Sequence, residues 1–289
     1  MTLLDLADGR KLDIAVSGPS DGIPLVFHHG TPGSVLPFRA IERATHARGL
    51  RLVTYSRAGY GRSTRLPGRS VVDIVADARA LLDHLGVRRC LTAGWSGGGP
   101  HALAMAARLP DQVAAVAVLS GVAPYDAEGL DFMAGMGQGN IEEFGFALEG
   151  EQVLRAGLET EAAVLREAEA DDLRETIGTV LSPIDRSFVA GEPGEDLAAN
   201  IREGLREGPD GWIDDDLAFV RPWGFDPGEV GVPAYIWQGA EDLMVPFEHG
   251  RWLAAHVPGA TAHLDREHGH LSMAMGRTAT ILDELLPHL

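Results

Sequence analysis

Arg89-Cys90-Leu91-Thr92-Ala93-Gly94-Trp95-Ser96-Gly97-Gly98 is the stretch on which the reading of this chain turns. An apolar, strand-like run ends at Ala93, and a small-residue helical pattern runs from Pro100 to Leu109. Between them stands Gly-x-Ser-x-Gly, Gly94 to Gly98. A serine on so sharp a strand-to-helix turn needs glycine on both flanks, because a Cβ there would strike the neighbouring strand or the start of the helix. Such a turn lifts the Ser96 hydroxyl clear of a sheet and sets it at a helix N-terminus, where developing negative charge is favoured. A pentapeptide of this kind also arises by chance as a glycine-rich loop with an incidental serine. Its meaning therefore depends on partners elsewhere in the chain.

In this strand-turn-helix setting the motif resembles the nucleophile elbow of the α/β-hydrolase superfamily, specifically the cap-bearing branch with an HGxP motif. The likeness spans about residues 2–122 and 230–289 and leaves the middle unmatched. It implies a catalytic order of serine, acid and histidine along the chain. Val232 to Trp237 reads as a buried strand, and Gly239-Ala240-Glu241-Asp242-Leu243-Met244-Val245-Pro246 is similar to the family's Gly-x-x-Asp-x-x-Val-Pro segment, which sets Asp242 at the acid position. Glu241 next to it, and Asp126 after the strand ending near Ser120, are the competing carboxylates. In Glu267-His268-Gly269-His270-Leu271-Ser272 the family's Gly-His before the final helix selects His270 over His268. Histidine, with an ordinary pKa of about 6.5, can take a serine proton and return it near neutral pH.

A tetrahedral intermediate also needs hydrogen-bond donors for its oxyanion. The resemblance implies two backbone N–H groups, that of Gly97 and that of Thr31 in the HGxP-like His29-Gly30-Thr31-Pro32. Taken alone, the latter is a turn-rich loop after a strand. Ser56-Arg57-Ala58-Gly59-Tyr60-Gly61-Arg62-Ser63 is close to the family's Asp-x-x-Gly-x-Gly-x-Ser, with Ser56 where the aspartate usually stands. That departure bears on the hydrogen bonding of a structural turn. The adjacent His28 and His29 have no further residues at metal-ligand spacing, so no metal is expected, and no cofactor.

Strand patterns fall at Pro24–His28, Arg51–Tyr55, Arg89–Ala93, Val113–Ser120, Ala234–Gln238 and Thr261–Leu264, with a hairpin over Thr2–Ser17 around Asp8-Gly9. Helical patterns alternate with them at Leu36–Arg48, Val71–Leu85, Pro100–Leu109, Phe247–His256 and Leu271–Leu286. The alternation predicts an α/β fold, a mainly parallel doubly wound sheet with its site beyond the carboxyl ends of the strands. Residues 1–122 and 230–289 would form this core. Residues 123–229 break the rhythm, with helical stretches at Asn140–Gly150, Glu151–Leu158, Glu161–Ile177 and Leu197–Glu207 and no convincing strand, and are expected to form a helical cap insertion. Their aromatic and methionine residues, Phe132, Met133, Met136, Phe144, Phe146, Trp212, Phe219, Trp223 and Phe225, supply apolar material for cap core and pocket roof, with spacing that singles out none of them for substrate; Trp95 reads as a packed wall.

The chain has 289 residues and a formal net charge of -18. Residues 125–229 hold 26 of the 42 acids and 7 of the 24 bases, a net -19, which leaves +1 for the rest. A strongly acidic insertion disfavours nucleic acid and anionic membrane as partners. It reads either as a solvated helical surface or as the source of a carboxylate that binds a substrate amine. The single cysteine, Cys90, excludes an internal disulfide and suits a strand as a small core residue. The N-terminus lacks a basic and apolar leader and no stretch is apolar enough for a membrane span, so a cytoplasmic protein is expected.

Together these readings imply a cofactor-independent serine hydrolase acting on a small-molecule ester or lactone. Ser96, His270 and Asp242 would be catalytic, and Thr31 and Gly97 would form the oxyanion hole. Rival readings are a proline-releasing aminopeptidase, a carbon–carbon bond hydrolase or cofactor-free oxygenase, and a ligand receptor with a vestigial triad. A homo-oligomer is compatible with all of them.

Overall fold

Runs of valine, leucine and alanine bounded by glycine turns become eight strands of one sheet in the computed structural model, which describes residues 1–289. They are β1 (Thr2–Asp5), β2 (Lys11–Ser17), β3 (Pro24–His28), β4 (Arg51–Ser56), β5 (Cys90–Trp95), β6 (Val113–Leu119), β7 (Ala234–Gly239) and β8 (Thr261–Asp265). Their spatial order is β1-β2-β4-β3-β5-β6-β7-β8; β2 is antiparallel to β1 and to β4, and all other pairs are parallel. The order reverses between β3 and β5: the chain leaves β3 to one side for β4, then returns on the other side as β5. Loops diverge at such a point and leave a crevice at the strand ends. The loops after β3 and β5 carry Thr31 and Ser96.

Twelve helices complete the fold: α1 (Arg39–His46), α2 (Ile74–His84), α3 (Gly98–Arg108), α4 (Gln138–Glu149), α5 (Glu151–Glu167), α6 (Ala170–Thr176), α7 (Pro183–Phe188), α8 (Glu192–Gly204), α9 (Asp210–Phe219), α10 (Phe247–His256), α11 (His270–Gly276) and α12 (Thr278–Leu285). The central strands are buried on both faces, so alternate side chains feed two cores. Leu25, Phe27, Ala115 and Ala117 pack on one side with α12 residues, whereas Val26, Val116 and Val118 pack on the other with α2 and α3. Cys90 is one of the latter group, and burial pushes its thiol up to about 12.

Several element boundaries depart from the sequence pattern. Helix α1 starts at Arg39 rather than Leu36, because Pro37 keeps the preceding residue out of the helical region. The C-terminal helical pattern is two helices that meet at Arg277. There the Thr278 hydroxyl donates to the carbonyls of Ala274 and Met275, competing for acceptors that a continuous helix would offer its amides. Between β6 and β7 lie six helices and no strand. Helix α5 runs unbroken to Glu167 and stops where Ala168 turns extended, and α7 and α9 form where no helix was expected. Helix α9 overturns the solvated reading of its acids: Asp214, Asp215 and Asp216 are all buried.

The charge asymmetry has a structural counterpart. Arg39 meets Glu195 and Asp196, Arg43 meets Glu192, Arg65 meets Asp214, and Arg57 and Arg69 meet Asp215. Bases of the sheet-bearing part thus dock the acids of α8 and α9. No helix of the structure is long and apolar enough to cross a membrane.

Candidate active site

The turn between β5 and α3 holds Ser96 at φ +56°, a conformation that side chains other than glycine rarely adopt. Its neighbours leave no room for substitution: a Cβ on Gly94 would lie 2.1 Å from the Gly98 carbonyl oxygen, and one on Gly98 would lie 2.2 Å from that of His28. The half-buried Ser96 borders a cavity roofed by α4, α5, α8 and α9, with Trp95 in its wall. Phe144, Trp212 and Phe219 line the cavity from the intervening helices, whereas Phe132 and Trp223 pack into the core.

His270 borders the same cavity, at the first position of α11. Its Nδ1 lies 2.8 Å from Asp242 Oδ2, and both residues are buried. Asp242 also accepts from Gln238 Nε2 at 3.0 Å and from the amides of Met244 and Val245 at 2.9 and 2.8 Å. A carboxylate held by so many donors has one orientation, and it sets the imidazole with Nδ1–H toward Asp242. Trp95 packs 5.4 Å from the imidazole, centroid to centroid. His270 Nε2 is buried without a hydrogen-bond partner, so Ser96 and His270 share the cavity without bonding to each other. The competing residues lie elsewhere. Glu241 and Asp126 are exposed, and His268 pairs with Asp265 at 3.1 Å.

Gly97 and Thr31 face each other across the mouth of α3, where a Cβ on Gly97 would lie 2.2 Å from Thr31 Oγ1. The backbone N–H groups of Gly97 and Thr31 donate to no protein acceptor. The loop bearing Thr31 is pinned from beneath by Arg57, which donates to the carbonyls of His29 and Gly30 and to Thr31 Oγ1. His29 accepts from the Arg57 amide through Nε2 and so donates from Nδ1 to the Gly30 carbonyl. Burial, helped by the Arg57 charge, holds this imidazole neutral, well below its ordinary range. Ser56 makes the bond its position requires: its Oγ accepts from the Val35 amide at 2.9 Å.

Asp215 of α9, fully buried, accepts from Arg57, from Arg69 at 2.7 Å, from the Tyr60 hydroxyl at 2.9 Å and from the Thr31 hydroxyl at 2.6 Å. Burial opposes its charge, but the two guanidiniums more than offset this and hold it well below the usual carboxylate range. Its neighbour Asp216 is the opposite case. It lines the cavity, and its buried carboxyl meets no amide, hydroxyl or cation of the protein; the polar group it does meet is the Glu143 carboxyl, with which it can share a proton. Burial and the adjacent Glu143 push it well above the ordinary value, and burial pushes Glu143 up to about 7 even though Trp212 Nε1 donates to it at 2.7 Å. Sequence reasoning missed Arg57, Asp215, Asp216 and Glu143 as site residues. The available signal was an acidic run set inside the apolar Trp212-Ile213 and Leu217-Ala218-Phe219, a pattern that a solvated face does not need.

A family described as alpha/beta hydrolase fold matches residues 23–274 of the chain. A non-heme chloroperoxidase from Streptomyces lividans is 33% identical over 43% of this chain and 46% of its own length. A bifunctional esterase/perhydrolase from Acinetobacter calcoaceticus is 33% identical over 40% and 43%. The chain thus spans less than half the length of these curated relatives. Among solved structures, a thermophilic esterase from Thermogutta terrifontis superposes with a TM-score of 0.69 at 20% identity, over 99% of this chain and 97% of that one. That likeness speaks to fold.

Proposed function

Because the chain belongs to the alpha/beta hydrolase fold family, we propose that it is a serine hydrolase which cleaves a small ester or lactone through an acyl-enzyme. The observation that carries this reading is the buried His270, bonded through Nδ1 to Asp242, with its Nε2 unbonded at a cavity that it shares with Ser96. In this reading the pair closes when substrate binds. Ser96 Oγ attacks the carbonyl carbon while its proton passes to His270 Nε2, and the N–H groups of Thr31 and Gly97 receive the oxyanion. Collapse of the intermediate breaks the bond to the leaving alkoxide, which takes that proton. A water molecule then attacks the acyl carbon, gives its proton to His270, and Ser96 leaves with the proton returned. No cofactor has a step to perform. The helices between β6 and β7 act as a cap that keeps bulk water from the acyl-enzyme. The esterase function named for the Acinetobacter relative supports the same chemistry.

The reading is tested with short-chain aryl esters against proline aryl amides. We expect rapid ester turnover and acylation of Ser96 visible by intact mass; preferred amide turnover assigns the protein to the aminopeptidases, and acylation without release to the receptors.

A second reading concerns the substrate. The paired carboxyls of Asp216 and Glu143, which meet no cation of the protein, give the cavity wall a site for a substrate cation, which favours an ester or amide bearing an ammonium group. The sign of its pH dependence follows from the raised carboxyl: Glu143 is neutral below about 7 and charged above it. The kcat/KM of a trimethylammonium ester, divided by that of its neutral tert-butyl isostere, therefore rises from pH 6 to pH 8, and the ratio cancels any pH dependence common to the two substrates. Glu143→Gln flattens the rise and lowers the ratio at pH 8 by about tenfold, equivalent to ~1.4 kcal/mol. A ratio already flat in the wild type removes the cation site.

A further inference from the structure

Helix α7 places Asp185 against the loop that bears His270. Its carboxylate is fully buried and meets no cation. Oδ2 accepts from the His270 amide at 2.7 Å and from the Ser182 hydroxyl at 3.1 Å, and Oδ1 accepts from the amides of Leu271 and Ser272, each at 3.0 Å. These are the first three amides of α11, which have no acceptor within their own helix. A residue remote in sequence thus completes the helix start at which the candidate base sits.

An independent feature agrees. Gly269 has an ordinary negative φ of -104°, so its backbone conformation does not call for glycine. A Cβ there would lie 2.3 Å from Asp185 Oδ2 and 2.7 Å from Ser182 Oγ. The glycine of the Gly-His pair is required by the approach of this carboxylate. His270 is consequently fixed at its main chain by Asp185, at Nδ1 by Asp242 and across its ring by Trp95. Only Nε2 is left to face the cavity.

We propose that Asp185 is a positioning residue of the hydrolytic reaction: by holding the main chain of His270 it aims Nε2 at Ser96. The inference rests on the serine hydrolase reading. It makes the inserted helices part of the catalytic frame as well as a cover, since a base displaced by about 1 Å can lose on the order of 100-fold in rate.

The test uses the full chain and a small phosphonofluoridate that needs little of the cavity. Ser96 Oγ bonds to phosphorus, fluoride leaves, and the serine proton departs through His270, so the labelling rate reads the aim of the imidazole. Intact mass follows the labelling, with kcat and KM for an aryl ester measured per titrated site. We expect one label on the wild type, and for Asp185→Asn a labelling rate and kcat lower by roughly 10- to 100-fold with KM unchanged. Gly269→Ala, which pushes the carboxylate off the amides, gives a loss of the same size. The double variant is no worse than the poorer single one, because both act through one contact. Equal labelling rates in wild type and Asp185→Asn, a loss confined to KM, or additive losses overturn the role of Asp185 while leaving the hydrolase reading intact. A wild type that takes no label overturns that reading and this inference with it. Should Asp185→Asn fail to fold, Ser182→Ala removes one donor from the carboxylate; slower labelling at an unchanged melting temperature supports the role, and an unchanged rate overturns it.

Discussion

Ser96→Ala lowers kcat for an aryl ester by roughly a million-fold, the scale seen when a triad serine is removed, and leaves the fold as stable as the wild type. Both halves of this expectation come from the geometry. The Ser96 hydroxyl bonds to no protein group and borders a cavity, so its loss strands no buried partner, and the change in stability stays within about 0.5 kcal/mol. The strain of φ +56° is no greater for alanine than for serine. On the serine hydrolase reading, chemistry by contrast loses the nucleophile that shares a cavity with His270 Nε2, and Cys90 cannot replace it, being sealed in the core with a thiol pushed up to about 12. Substrate binding survives, because Trp212, Phe219 and the other walls are untouched. Steady-state assays, a binding titration with the uncleaved ester and a melting curve check the three statements together. Turnover that persists in the variant removes Ser96 from the mechanism, and a large drop in melting temperature means that the hydroxyl has a structural partner the geometry does not contain.

How far sequence alone reached can be judged from particular residues. The glycines around Ser96 were legible because each answers a local demand, a close backbone approach at Gly94 and at Gly98. The sheet was legible because its strands are short apolar runs with alternate residues feeding two cores. Asp242 was separable from Glu241 by motif spacing, and the fold turns one inward and the other to solvent. What local pattern could not reveal are partnerships across long separations. Arg57 and Asp215 lie 158 positions apart, and Asp185 and His270 lie 85 apart. Nothing in the neighbourhood of either acid says which amide or guanidinium it will meet. The same limit explains why α9 escaped notice: its acids look solvated until the bases of the 57–69 loop are brought over them.

That long-range docking makes Asp215 the residue whose loss the fold should feel most. Asp215→Ala leaves Arg57 and Arg69 buried with no carboxylate, and it also strips acceptors from the Tyr60 and Thr31 hydroxyls. Breaking a buried pair by removing one partner costs about 3–5 kcal/mol, which in a chain of this size lowers Tm by on the order of 10 °C. The wild type carries this stabilisation with a defined sign. A folded-state pKa depressed below the ordinary carboxylate value of about 3.9 contributes fully above that pH, and the contribution is lost as pH falls below it toward the folded value. The gap in Tm between wild type and variant is therefore full at pH 6 and narrows on acidification below pH 4. Replacing the whole group, Asp215→Leu with Arg57→Met and Arg69→Met, recovers much of the loss, because the penalty belongs to the stranded charges rather than to the absence of an ion pair. Activity does not return with it: Arg57 also donates to the carbonyls of His29 and Gly30 that shape the Thr31 turn, so the triple variant is stable and slow. Melting curves across pH, with kcat at a temperature where every variant is folded, separate the two effects. A single variant that melts with the wild type excludes Asp215 as the buried anchor, and a triple variant with full kcat shows that the Thr31 loop keeps its shape without Arg57.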